Sequence, residues 1–136
     1  RGDVVRLLPG GFAALVRLFP VLGRIAPATV DDDEVPDVQE LRRRAFVALR
    51  GLLAAIARKR ALVLHIDDAQ WADADSAALL DALLAAPAPP PMLLLVGYRS
   101  EEAAASAFVA GLPARARPAA EIDAREIVVG PLSQPD

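Results

Sequence analysis

The chain has 136 residues, 54% hydrophobic and 24% charged, with a formal net charge of −3. That is the size of one ordinary domain with enough apolar material for a core, which excludes disorder by composition. The 15 basic residues are dispersed, no apolar run approaches the ~20 residues of a membrane span, and cysteine is absent. These facts argue against a nucleic-acid surface in this segment and exclude a transmembrane helix, a disulfide framework and a thiolate metal site.

Residues 10–19, GGFAALVRLF, place Phe12, Leu15, Val16 and Phe19 on one helical face, and Pro20 ends or kinks that helix. VDDDEVPD, residues 30–37, reads as a solvated acidic connector. It also flanks the start of the next helix, whose positive dipole end favours carboxylates. Residues 38–60 carry the clearest helical period: Val38, Leu41, Ala45, Leu49, Leu52 and Ile56. Arg58, Lys59 and Arg60 close it, where cations suit the dipole. Arg42 to Arg44 and Arg58 to Arg60 are expected on solvated helix surface.

Residues 62–67 read as a buried strand, and Asp73 or Asp75 is placed to cap a helix over about 74–86. PAPPP, residues 87–91, stops that helix. MLLLVGY, 92–98, is a second continuous apolar strand. A helix is expected over 101–111, a loop at LPARARPAA, and a third strand at REIVVG, 125–130. Strand, helix, strand, helix, strand predicts an α/β fold with a parallel sheet covered on both faces. The chain begins without Met and ends just after a strand-like run. The expectation is therefore a piece of a longer polypeptide, with residues 1–37 a helical segment and connector and residues 38–136 the main unit.

The stretch ALVLHIDDAQWADADS, residues 61–76, sets two carboxylates at the end of an apolar strand. Adjacent like charges repel and are costly to bury, so a cation is expected between them and their surroundings. In parallel α/β sheets, ligands bind beyond the carboxyl ends of the strands. The first strand delivers Asp67 and Asp68 there, and the second delivers Tyr98, Arg99 and Ser100. Two carboxylates and a guanidinium suit a nucleoside triphosphate with Mg²⁺. His65, the single histidine, faces away from its neighbours in the strand and reads as a core residue; without a second His or any Cys, zinc is excluded. Asp73 reads as a helix cap rather than a ligand, and Trp71 as packed over its loop.

LVLHIDDAQWADADSAALLDALL followed by LLLVGYRSEE resembles the core of the STAND-class, AAA-like P-loop ATPases. These are regulatory modules of large bacterial signalling proteins, joined to serine/threonine kinase or LuxR-type DNA-binding domains. The resemblance spans about residues 10–100. It implies that Leu62 to Asp68 form the Walker B strand, with Asp67 holding Mg²⁺ through water. It places Asp68 at the catalytic-acid position and Arg99 at the sensor position that reads the terminal phosphate. IVVGPLS resembles the strand leading into the family's helical lid. The implied function is an ATP-binding regulatory switch, and the resemblance leaves open whether it slowly hydrolyses Mg-ATP or only binds it. The implied cofactors are ATP and Mg²⁺, and the implied partners are the nucleotide, other domains of the same chain and further copies. Neither a membrane nor direct nucleic-acid contact is expected, and the expected location is cytoplasmic.

The departures are specific. No G-x-x-x-x-G-K-[ST] occurs in the 136 residues, and that loop is what cradles phosphates with backbone N–H groups and a Lys. The expectation is a partial P-loop NTPase core that lacks the phosphate-loop strand and the lid, and that binds ATP weakly or not at all by itself. Two alternatives stand beside it. One is a non-enzymatic α/β interaction scaffold that has lost nucleotide binding. The other is a receiver-like domain with an acidic pocket, which the missing strand-end Lys and the Trp-Ala-Asp pattern weaken.

Overall fold

A computed structural model describes residues 8–25, 37–85, 89–116 and 122–130. The first helix, α1 (Phe12–Leu18), starts at Gly11, whose φ of 84° is left-handed. Such a φ suits a residue without Cβ. Phe19 and Pro20 stop it, and residues Pro20–Arg24 continue as a 3₁₀ turn. The long helix α2 (Val38–Ala57) follows. Leu15, Phe12 and Ala14 of α1 bury against Ala45 and Ala48 of α2, with Leu41, Leu49 and Leu52 packed around them. The helical period of this region thus marks the packed face. Val38 is the departure: it is exposed at the first turn. The three cations at 58–60 lie in a turn past the helix, where Arg58 and Lys59 donate backbone N–H groups to Ala54 and Ile56. Most of the acidic connector lies outside the described residues.

The described residues of the α/β part hold two strands, β1 (Val63–Ile66) and β2 (Leu93–Val96). The two strands pair in parallel, Val63 opposite Leu93 through Ile66 opposite Val96. Parallel neighbours need a crossover of a dozen residues or more. Here α3 (Ala74–Leu84) supplies it. The α/β class and the parallel sheet with flanking helices are as read from the sequence.

Three expectations are corrected. The helix read over 101–111 is two pieces: a 3₁₀ segment, Ser100–Ala105, and α4 (Ala107–Ala116). Buried Ser106 divides them, its Oγ accepting from the Val109 backbone N–H at 3.3 Å. Consequently 112–116 is helical rather than loop, with Pro113 inside α4. A proline in a helix costs about 3 kcal/mol. Arg115 anchors the turn beyond it: an ion pair to Asp81 of α3 at 2.6 Å, a bond to the Phe108 carbonyl within α4 at 3.2 Å, and stacking over the Phe108 ring at 5.6 Å.

The second correction concerns residues 125–130, which join no strand ladder. Ile127, Val128 and Val129 are more than four-fifths exposed. An apolar run becomes a strand only where a neighbouring strand offers its hydrogen bonds, and the described sheet has two strands. The third correction is that, among the described residues, the sheet is covered on one face. Ile66, Leu94 and Val96 pack with Leu80 of α3 and Phe108 and Val109 of α4. On the other face Val63, His65, Leu93 and Leu95 are exposed. His65 therefore alternates as predicted but is not a core residue.

Candidate functional site

The ends of β1 and β2 are stitched together beyond the strands. Gly97 donates its N–H to the Ile66 carbonyl at 2.8 Å, and the Ala69 N–H returns to the Gly97 carbonyl at 2.9 Å. Asp67 and Asp68 thus sit beside Gly97, Tyr98 and Arg99. Asp67 is exposed and its Oδ1 accepts the Asp68 backbone N–H at 3.0 Å. A Cβ at Gly97 would stand 3.1 Å from that Oδ1, so the carboxylate lies close over bare backbone. Asp68 holds φ 52° and ψ 41°, the one left-handed non-glycine among the described residues. Asp tolerates that region better than most residues, and such backbone concentrates at functional sites.

After Asp68 the chain makes a 3₁₀ turn, Ala69–Trp71. Ala69 and Gln70 turn inward, at 1% and 9% exposure, and Trp71 turns out at 69%. Trp71 does not pack over its loop: the buried side of this short turn is taken by Ala69, against Phe108 and Val109. Gln70 Nε2 donates to Asp68 Oδ1 at 3.1 Å, and the Arg99 backbone N–H donates to Gln70 Oε1 at 3.3 Å. Asp73 caps α3, accepting from both the backbone N–H and the hydroxyl of Ser76 at 2.8 Å. The Ser76 amide, then its hydroxyl, hold the Asp73 carboxyl below its ordinary pKa. Asp73 is a cap, as its position suggested.

Arg99 reaches the same strand end, but its guanidinium is turned toward Glu102, 3.7 Å away. Tyr98 donates its hydroxyl to Glu126 Oε1 at 2.7 Å, fastening the 122–130 segment to the end of β2. That bond to a carboxylate, with some burial, raises the Tyr98 pKa. The structure therefore brings Asp67, Asp68 and the Arg99 backbone together, and leaves the Arg99 guanidinium outside the group. Gln70, Gly97 and the Tyr98–Glu126 bond were not read from the sequence as parts of this corner. A glycine directly after a continuous apolar strand, and one amide between Ala69 and Trp71 just past the acid pair, were the available signals.

Among the described residues, no lysine or arginine pairs with Asp67 or Asp68, and no three side chains gather as a metal cage. Mg²⁺ in phosphate chemistry keeps several waters and takes one or two carboxylates plus phosphate oxygens. Two adjacent carboxylates at an open strand end fit that ion and would fit a caged one poorly. A separate 480 Å³ groove between α3 and α4, floored by Ala77 and Phe108, contains none of these residues. Of its charged groups, Asp81 and Arg115 are paired with each other and Asp73 is the cap of α3.

Paired acids at the carboxyl end of a parallel α/β sheet stand where ligands of such sheets bind, and the family of the chain makes it a nucleotide-binding, ATPase-like module. The chain belongs to the AAA ATPase domain family, whose model matches residues 5–96, more than half of its length. Asp67 and Asp68 lie inside the matched stretch and Arg99 just beyond it. No curated protein and no solved structure matches the chain. Among the described residues no helix is long and apolar enough to cross a membrane.

Proposed function

We propose that this chain is the Walker B and sensor part of an ATP-binding regulatory module of the STAND type. In this reading the module binds Mg-ATP, hydrolyses it slowly, and uses the change as a switch between domains of one signalling protein, with serine/threonine kinase or LuxR-type DNA-binding domains as outputs. The observation that carries it is the joined strand end: the Ala69–Gly97 and Gly97–Ile66 bonds hold both acids against the segment that delivers Arg99. Asp67 would hold the metal through water, and Asp68 would orient the attacking water. Arg99, once released from Glu102, would meet the γ-phosphate. When bound, Mg²⁺ supplies charge neutralisation at the β and γ phosphates, whose transition state is strongly anionic. An aspartate at the water-orienting position reaches less far than a glutamate, which agrees with slow turnover.

The second reading, an interaction scaffold without nucleotide, is favoured by the bare apolar sheet face. A Gly-rich loop ending in Lys-Ser or Lys-Thr, upstream in the full reading frame, discriminates in favour of the ATPase. The direct test is a Mg-ATP titration of the full-length protein, wild type beside Asp67→Asn, with and without Mg²⁺. The expected outcome is Mg²⁺-dependent binding in the wild type that the variant loses. Equal behaviour of the two would make the acid pair structural and the scaffold reading the better one.

A further inference from the structure

We infer that Gln70 is a positioning residue whose carboxamide couples the Asp68 carboxylate to the backbone of Arg99. This inference rests on the ATPase reading above and adds to it the part that holds the acid in place. Gln70 is a buried polar side chain, 9% exposed, in a turn where Trp71 is left in solvent. A glutamine is expensive to bury and is retained inside where its amide is used on both ends. Here the amide nitrogen meets Asp68 Oδ1 and the amide oxygen meets the Arg99 N–H. Chemistry fixes that orientation. An ionised carboxylate only accepts and a backbone N–H only donates, so exchanging the amide's two ends would lose both bonds.

The two bonds act on the groups that matter. Asp68 sits in left-handed backbone, a conformation that persists where the surroundings determine it. The Asp67 carboxylate holds its backbone N–H and Gln70 holds its side chain. One Asp68 oxygen is thereby fixed and the carboxylate's rotation with it, leaving the second oxygen for a water. Through its other end, Gln70 registers this acid against the start of the segment carrying Arg99. A movement of Arg99 toward a terminal phosphate therefore pulls on the same amide that orients Asp68. The charged groups around position 70 are Asp67 and Asp68 on its own side and Arg99 with Glu102 opposite.

The test uses the full-length protein with Gln70→Met, Gln70→Glu and Asp68→Asn. Met is nearly the same size and lacks the amide. The expected result for Gln70→Met is a kcat lower by about tenfold to a hundredfold, the scale of a misplaced catalytic group, with Mg-ATP Kd unchanged. Glu keeps an acceptor for Arg99 but sets a carboxylate against Asp68, so the Arg99 contact is kept while the acid is repelled. Gln70→Glu should therefore lower kcat by a similar factor although the contact to the Arg99 N–H is retained. In the nucleotide-free protein, the melting shifts of Gln70→Met and Asp68→Asn should be non-additive, as for residues in contact.

Wild-type kcat in Gln70→Met, or additive melting shifts, would overturn the inference and leave the ATPase reading standing. If Gln70→Met fails to fold, Gln70→Glu decides alone, and wild-type kcat in that variant overturns the inference. Mg-ATP binding without turnover in the wild type also overturns it, since Asp68 then has no water to orient. A wild type that binds no Mg-ATP overturns both.

Discussion

At Gly97 a single methyl group would reach within 3.1 Å of Asp67 Oδ1, tighter than ordinary van der Waals contact. Gly97→Ala should therefore push the Asp67 carboxylate off its place while leaving the fold intact, because an exposed side chain yields more easily than backbone. The expected outcome is a loss of the Mg²⁺-dependent part of ATP affinity, with a melting temperature close to that of the wild type. Titrations with Mg²⁺ and with EDTA, beside a thermal melt, check it. At this scale the acids were legible, because charges at the end of an apolar run advertise themselves. Asp73 was legible too, through the capping preference of a short carboxylate ahead of a helix. Gln70 was not, since hydrophobicity predicts Trp71 inside and Gln70 outside, the reverse of what the 3₁₀ turn does. In a turn of three residues, the neighbours' packing decides which side chain goes in.

Among the elements, α2 adds a small first-turn ion-pair group to the apolar stripe that packs it. Glu40 accepts from Arg43 at 2.6 and 2.7 Å and from Arg44 at 2.8 Å, one turn further along the helix. The Arg43 bonds, then the Arg44 bond, lower the Glu40 carboxyl from 4.5 to about 2. A carboxyl whose folded pKa is depressed lends stability that is fully present above its unfolded pKa and is lost as pH falls toward the folded one. The melting-temperature gap between wild type and Glu40→Gln should thus be constant near neutrality and close between pH 4.5 and about 2. It should also shrink with added salt, because all three side chains are solvated. The elements themselves were largely readable: α1, α2, both strands and α3 follow from apolar period and length. The errors lie where local sequence was ambiguous and tertiary contact ruled. Ser106 splits an alanine-rich helical pattern, Arg115 carries α4 past Pro113, and REIVVG has strand composition without a strand to pair with.

At the scale of the molecule, the described residues form two apolar clusters, one between α1 and α2 and one under the sheet. A bidentate pair from Arg42 to Asp75, at 2.9 and 2.8 Å, joins α2 to the start of α3. Alternation of strand and helix made the α/β class visible, since continuous apolar runs separated by helical ones have few other solutions. It also predicted layers on both sides of the sheet, and the structure shows one. The uncovered side has a consequence for handling the polypeptide. Expressed by itself, residues 1–136 would present Val63, Leu93 and Leu95 to solvent on two short strands whose outer edges are unpaired, a template for sticking to other copies. Light scattering should rise with concentration, and yield from the soluble fraction should be low. Leu95→Lys, which places a charge on that side without entering the packed one, should raise the yield and suppress the scattering.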